Sequence, residues 1–282
     1  MKWGILLSLL LLIRPWTSGQ LLYEIKSKDG LKTSYLFGTI HLIPEDQFIL
    51  STTLKKAFES SRTLAMEVDL NMGLATKVAL AKETMLPDGQ TLKDITTPEQ
   101  YQTIYSYWEK HHGKNKRKFN RYSRLKPFFF SSLLLQEDMK HSKSYEIEWN
   151  KLAHKQEKKT MGLESVHVQM QTINTVSLPD QVKMLLDGLN NTQEYDSMLS
   201  HYLSEDLATL YQDILKESEG FPNFLENFLN KRNRQWIPIL EKQLEKEATF
   251  IAVGAGHLPG EQGVIALLKS RGYSLKPIYL NR

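Results

Sequence analysis

The chain carries one short motif twice, once near each end, and this repeat constrains its fold more than any other feature. Each copy consists of three apolar residues, a glycine, two variable residues, a histidine, a leucine, two variable residues and a glutamate. The copies span residues 35–45 and 251–261. Because a short apolar run that ends in glycine predicts a buried strand, the repeat indicates two similar strand ends from a duplicated unit.

The two histidines of the repeat, His41 and His257, are its candidate reactive groups. The glycines Gly38 and Gly254 permit a sharp turn or a close backbone approach. Each histidine then lies just beyond the C-terminal end of a strand, where open α/β sheets bind their ligands. Imidazole suits either metal ligation or proton transfer near neutral pH. A single histidine in such a place is more often a core or capping residue, so the hypothesis depends on the pair.

A metal site would need a further protein ligand, because catalytic metals usually have about three. Glu67 is the first candidate, since residues 64–66 predict a strand that ends at this carboxylate. We expect that strand to lie beside the first motif strand. Glu164 follows Gly162 at another predicted strand end and is the second candidate. Either carboxylate could instead stabilise the start of the next helix through the helix dipole.

The rest of the hydrophobic pattern predicts an α/β protein. The predicted strands are a hairpin and four further segments, namely residues 21–25 with 33–37, 63–68, 160–163, 249–253 and 273–279. Residues 128–135 are apolar enough to form either a buried helix or a core strand. We expect one domain over residues 20–282, with an α/β core built from the two ends of the chain and a helical insertion at about 71–246.

Residues 1–19 predict a secretory signal peptide. Lys2 precedes an apolar run over residues 5–13, and small residues follow up to Gly19, where we expect cleavage. The run is shorter than the ~20 residues that cross a bilayer, and no later segment is long and apolar enough to do so. We therefore expect an exported protein, periplasmic or extracellular, with no stable membrane span after the signal is removed.

Composition excludes several kinds of site and partner. The chain has no cysteine, which excludes disulfides, thiolate chemistry and lipoprotein attachment. Its formal charge of +4, less the charges of Lys2 and Arg14 in the signal, is +2, which favours no polyanionic partner. Residues 110–126 are locally basic. We expect a solvated surface there, with an anionic glycan or a membrane surface as the functional alternative, and no nucleic acid, which an exported protein rarely meets.

Five patterns, two of which lie within the motif copies, occur in a fixed order along the mature chain. They are residues 36–41, residues 66–69, residues 162–165 with Gln169, Arg232 and Asn233 followed by Trp236, and residues 253–258. In this order they resemble the TraB/GumN family, which also includes PrgY and the Tiki proteins. The resemblance implies a mixed α/β fold like that of the erythromycin esterase and ChaN group, with two related halves around a shared cleft.

The resemblance also implies roles for particular residues. Tiki members are metal-dependent proteases that act on secreted protein, so a divalent metal such as Mn, Co or Zn is implied. The matched metal-binding residues are His41, His257 and Glu67, and the matched catalytic or substrate-orienting residues are Glu67, Glu164, Arg232 and Asn233. Arg232 could stabilise an anion or an oxyanion, or it could be a helix-surface arginine paired with an acid.

Three functions are consistent with these residues. The leading hypothesis is an exported metal-dependent hydrolase, specifically a peptidase related to the Tiki proteins, in which Glu67 or Glu164 moves the proton. The alternatives are a non-catalytic protein that binds a peptide or glycan in the same cleft, and a metal-free hydrolase that uses histidine and glutamate. Neither Gly-x-Ser-x-Gly nor His-Glu-x-x-His occurs in the chain. The sequence leaves the oligomeric state open.

Overall fold

Eight strands form two sheets in the computed structural model, which describes residues 19–139, 141–190, 193–221 and 223–280. The strands are β1 (Leu22–Lys26), β2 (Thr33–Thr39), β3 (Ile43–Pro44), β4 (Thr63–Val68), β5 (Ser142–Lys143), β6 (Lys159–Glu164), β7 (Thr249–Gly254) and β8 (Ser274–Ile278). Strands β3 and β5 pair only with each other, and the other six form the main sheet. The predicted signal peptide lies, except for Gly19, outside the described residues.

The main sheet is mixed, with the strand order β6-β4-β7-β2-β1-β8. Strands β6, β4, β7 and β2 are successive parallel neighbours. Strand β1 pairs antiparallel with β2 on one side and with β8 on the other. The predicted α/β class with a mixed sheet is therefore confirmed, whereas the division into two related halves stays a prediction.

The two motif strands lie side by side. Strands β2 and β7 run parallel, and Gly38 is opposite Val253 while Thr39 is opposite Gly254, so the copies are offset by one residue. Our expectation that Glu67's strand would adjoin the first motif strand was wrong, because β7 lies between β4 and β2. The apolar pattern of a strand does not specify which later strand will pair with it.

Thirteen α-helices occur among the described residues, and most of them lie between β4 and β7. They are α1 (Thr52–Glu59), α2 (Leu74–Glu83), α3 (Leu92–Ile95), α4 (Pro98–His112), α5 (Lys116–Tyr122), α6 (Pro127–Asp138), α7 (Tyr145–Lys155), α8 (Val166–Ile173), α9 (Leu178–Asn190), α10 (Gln193–Leu203), α11 (Leu207–Glu217), α12 (Lys231–Lys246) and α13 (Val264–Ser270). The apolar segment 128–135 forms part of helix α6. None of these helices is long and apolar enough to span a membrane.

Two hydrophobic clusters hold these elements together. The larger one surrounds the main sheet, where strands β4 and β7 are buried along almost their whole length. Parallel strands at the centre of a sheet are covered on both faces, and for this reason their sequences are continuous apolar runs. The smaller cluster packs helices α3 to α6 and α9 around Trp108, Phe119 and Phe130. The basic segment 110–126 covers this second cluster, and most of its cationic side chains are exposed.

Candidate functional site

The two copies of the motif place their histidines differently. After β7 a single 3-10 turn, Ala255–His257, carries His257 back into the protein, where it is 4% exposed. After β2 the chain continues outward to β3, and the His41 side chain is 72% exposed. Gly38 on β2 lies against the Ala255–His257 turn, and a Cβ there would lie 3.1 Å from Ala255 Cα, so a side chain at this position would require the turn to shift.

Glu67 joins β4 to the second motif copy. Its Oε1 accepts a hydrogen bond from the Gly254 N–H at 2.8 Å, and its Oε2 accepts one from Arg232 Nη2 at 2.6 Å. Burial would raise the pKa of Glu67, but the adjacent His257 ring, which is protonated in acid, and the Arg232 guanidinium outweigh burial and lower the pKa to about 2. Glu67 is therefore a buried carboxylate held in its charged form.

Arg232, on helix α12, is the centre of the buried cluster. Its Nη2 donates to Glu164 Oε1 at 2.6 Å as well as to Glu67, and its Nε donates to both Glu164 oxygens at 3.1 Å. Its Nη1 donates to the Phe228 carbonyl at 2.9 Å and lies 3.2 Å from His257 Nε2. All five N–H groups of the guanidinium are thus engaged, which leaves no free donor for an oxyanion in this arrangement.

The hydrogen bonds of Asn233 fix the tautomer of His257. Asn233 Nδ2 donates to the carbonyls of His257, at 3.3 Å, and Gln262, at 2.8 Å, so its Oδ1 must accept from His257 Nδ1 at 2.7 Å. The proton is therefore on Nδ1, and the lone pair of Nε2 faces Arg232. Burial, aided by the charge of Arg232, lowers the pKa of His257 to about 4, so the ring is neutral at physiological pH.

His41 pairs with a carboxylate that the sequence did not identify. His41 Nδ1 lies 3.3 Å from Oε1 of Glu146, in the first turn of α7. Glu146 also accepts hydrogen bonds from the hydroxyls of Thr39 and Ser144, both at 2.7 Å. Pairing with Glu146 raises the pKa of His41 to about 9. The sequence signal of Glu146, an acid two residues after a helix-capping serine, is the ordinary signal of a helix start.

The structure therefore divides the predicted residues, together with Glu146, into two groups. A buried cluster contains Glu67, Glu164, Arg232, Asn233 and His257. A partly exposed pair contains His41 and Glu146, and the charges of Glu67 and Arg232 both influence the pKa of His41. A cavity of about 700 Å³ includes Gln262, the Asn233 acceptor, in its lining, but not His41, Glu67 or His257.

Comparison with known proteins identifies the family. The model of the TraB/PrgY/gumN family matches residues 21–277, which is nearly the whole chain. The chain belongs to the TraB/PrgY/gumN family. No solved structure matches it.

Three curated relatives of this TraB/PrgY/gumN protein are named as metalloproteases. It is 24% identical to metalloprotease TIKI1 of Danio rerio over 301 residues, which cover 86% of this chain and 60% of that one. It is 26% identical to metalloprotease TIKI2 of Xenopus tropicalis over 302 residues, 86% of this chain and 57% of that one. A TIKI homolog of Nematostella vectensis is 22% identical over 305 residues, 86% of this chain and 64% of that one. The chain thus spans about three fifths of the length of these relatives.

The names of these relatives imply a divalent metal, and the residues of the candidate site decide whether such an ion fits. The part of the chain that the structure describes contains no group of three or more His, Cys, Asp and Glu side chains placed to hold a metal ion. Glu67 Oε1 and His257 Nε2 are 3.7 Å apart. Both residues, and Glu164, already pair with the Arg232 guanidinium. With Arg232 in this position the cluster does not fit a metal ion.

Proposed function

We propose that this protein is an exported hydrolase that cleaves amide bonds in peptides, at the sheet edge where β2, β4 and β7 end. The observation that carries the proposal is the adjacency of the two motif strands, because it brings the exposed His41–Glu146 pair to the same sheet edge as the buried Glu67–Arg232–His257 cluster. Kinship with proteins named metalloproteases supports the choice of peptide as substrate.

In the proposed reaction His41 acts as the general acid. Its Nδ1 is held by Glu146, and its exposed ring can present Nε2–H to a substrate. Because its pKa is raised to about 9, the ring is protonated at neutral pH and can give a proton to the departing amine. Glu146 orients the ring, and Thr39 and Ser144 orient Glu146.

Glu67 is the proposed general base. It is charged, and its Oε1 contacts the Gly254 N–H rather than the Arg232 guanidinium. One lone pair of Oε1 is therefore available to accept a proton from an attacking water. Glu164, Arg232, Asn233 and His257 hold Glu67 and the strand ends in place. The proton accepted from water returns to His41 through solvent after the amine leaves.

A metal-dependent peptidase using Mn, Co or Zn is the second candidate, and the names of the curated relatives favour it. It would require Arg232 to leave the cluster, because the guanidinium now pairs with Glu67, Glu164 and His257. For this reason the geometry supports the metal-independent reaction better.

Export is part of the proposal. Residues 1–19 have the pattern of a signal peptide, and β1 begins only three residues after Gly19, with Gln20 and Leu21 already buried. Cleavage after Gly19 would therefore retain every described strand and helix. N-terminal sequencing of the protein recovered outside the cytoplasm should begin at Gln20, and retention of residues 1–19 would contradict export by this route.

The test of function is cleavage of a peptide library by protein purified without a histidine tag. Mass spectrometry would follow the library with chelator, and separately with Mn²⁺, Co²⁺ or Zn²⁺ added. We expect cleavage in chelator that Glu67→Gln abolishes and that His111→Asn, which changes a histidine stacked on Tyr107, leaves intact. Cleavage only with added metal would support the second candidate. A library that is retained but never cleaved would contradict both and indicate a binding protein.

A further inference from the structure

The Arg232 guanidinium lies where a cation bound to both Glu67 and Glu164 would lie. Its Nη2 lies 2.6 Å from Glu67 Oε2 and 2.6 Å from Glu164 Oε1, so this nitrogen bridges two carboxylates from neighbouring strands. Its Nη1 lies 3.2 Å from the neutral His257 Nε2. Two carboxylates and one imidazole nitrogen are the donor set that Mn²⁺ and Zn²⁺ accept.

The guanidinium and a metal ion cannot share this place. Metal–oxygen bonds are about 2.0–2.2 Å long, so an ion bound to both carboxylates would overlap Nη2. A divalent ion beside the guanidinium would also meet its positive charge in a buried setting, where Coulomb repulsion is strong. Arg232 is 6% exposed, and Trp236 lies over its guanidinium at 4.9 Å, so the side chain is packed and not free to move aside.

The charge balance of the cluster also indicates that the site holds one cation, either the guanidinium or a metal ion. Glu67 and Glu164 together bring two negative charges, and Arg232 brings one positive charge, while His257, whose Nδ1 donates to Asn233 and whose Nε2 faces Arg232, contributes none. A buried carboxylate without a cation strongly destabilises a folded protein. Removal of Arg232 would leave both carboxylates without their cation, and one divalent ion would neutralise them fully.

We infer that Arg232 is the resident cation of this site, and that its guanidinium and a divalent metal ion compete for Glu67, Glu164 and His257. The inference depends on the site of the proposed function but not on catalysis, because it concerns cation binding alone. A protein without peptidase activity could still confirm it, and an active peptidase could still contradict it.

The test measures Mn²⁺ binding and thermal unfolding of chelator-stripped full-length mature protein. The variant Arg232→Met removes the guanidinium while keeping an unbranched side chain. Its control is Arg234→Met, two residues along α12, where the arginine is exposed and pairs with Glu226. We expect Arg232→Met to unfold at a lower temperature than wild type in chelator, and Mn²⁺ to reverse that loss. Its Mn²⁺ affinity should exceed that of wild type and of Arg234→Met at least tenfold.

Two further measurements complete the test. Adding Glu67→Gln to Arg232→Met should abolish the gain in Mn²⁺ affinity, because one ligand is lost. If Arg232→Met does not fold in chelator, refolding it with Mn²⁺ should recover native protein, and failure to do so would overturn the inference. Wild-type protein that binds Mn²⁺ tightly, with a rise in unfolding temperature that Glu67→Gln removes, would also overturn it, since metal and guanidinium would then coexist.

Discussion

The backbone N–H of Gly254 donates to Glu67 Oε1 at 2.8 Å, and this bond joins the second motif copy to the strand that provides the acid. The glycine permits the approach, because a Cβ at this position would lie 3.2 Å from the same oxygen. The Glu67 carboxylate on β4 thus contacts β7 through one oxygen and Arg232 through the other. Loss of that carboxylate should affect stability as well as chemistry.

Glu67→Ala should lower the free energy of unfolding by about 3–5 kcal/mol, because it removes one partner of a buried ion pair. Glu67→Gln should cost less, since an amide oxygen can still accept from Gly254. Glu261→Ala, at the exposed glutamate that ends the second motif, should change stability by no more than about 0.5 kcal/mol. Urea unfolding measures all three, and equal losses for Glu67→Ala and Glu261→Ala would contradict the arrangement.

Acid should destabilise the protein in two steps. The pKa of His257 is about 4 in the folded protein against an ordinary 6.5, so the unfolded chain binds an extra proton between these values. Stability is therefore fully present above pH 6.5 and falls as the pH drops to 4. The pKa of Glu67, about 2 against an ordinary 4.5, adds a second loss below pH 4.5.

The loss in the free energy of unfolding that comes from protonation of His257 should be about 2–3 kcal/mol. The unfolding temperature of wild type and of His257→Gln, measured from pH 8 to pH 4, isolates this step. We expect the variant to be less stable at pH 8 but to lose less stability than wild type between pH 6.5 and 4. Parallel curves would show that His257 is not buried in its neutral form.

The Glu146→Gln variant should lower the pKa of His41 from about 9 toward its ordinary 6.5, because the pairing carboxylate is lost. The pair contributes stability below pH 6.5 that disappears as the pH rises through 9, but His41 is exposed, so the contribution is small. Nuclear magnetic resonance titration of the His41 ring is the better measurement. Glu148→Gln, on the same helix but paired with Lys151, serves as the control. An unchanged His41 titration in Glu146→Gln would contradict the pair.

Glycine at position 162 should be irreplaceable, since a Cβ there would lie 2.7 Å from the backbone nitrogen of Asp69 and 2.8 Å from the carbonyl oxygen of Glu164. Gly162→Ala should cost about 1–3 kcal/mol through this overpacking and displace Glu164 from Arg232. Gly188→Ala, in helix α9 with no atom within 4 Å of the added carbon, should instead stabilise the protein by about 0.5–1 kcal/mol. Thermal unfolding of both variants would check the contrast, and equal effects would contradict it.

The sequence was sufficient to predict the six strands of the main sheet, but not the short strands β3 and β5, and to select the polar residues that the buried cluster contains. Apolar runs predict β2, β4 and β7 because both faces of these central strands are covered. Glu67 and Glu164 were found because each is the polar residue at a strand end. The order of the strands was not predictable, since an apolar run identifies a strand but not its neighbours.

The different environments of the two histidines were also not predicted, because the motif copies share their fixed residues. The copies do differ at a variable position, which is Ile40 in one copy and Gly256 in the other. A Cβ on Gly256 would lie 2.8 Å from Cδ1 of Ile214 on helix α11, so a larger residue there would require the Ile214 side chain to shift. Glu146 gave no signal beyond that of a helix start, because its contact with His41 joins residues far apart in the chain.

In the proposed function His41 and Glu67 act in one reaction, although one is exposed and the other is buried. The most direct test is a double-mutant cycle on the rate of peptide cleavage, with His41→Asn, Glu67→Gln and the double variant. Each single change should lower kcat/KM by about 10²–10⁴-fold, and the double variant should be no slower than the slower single one, because residues that act as a unit are not additive. Losses that multiply, or a single variant with wild-type kcat/KM, would contradict the claim.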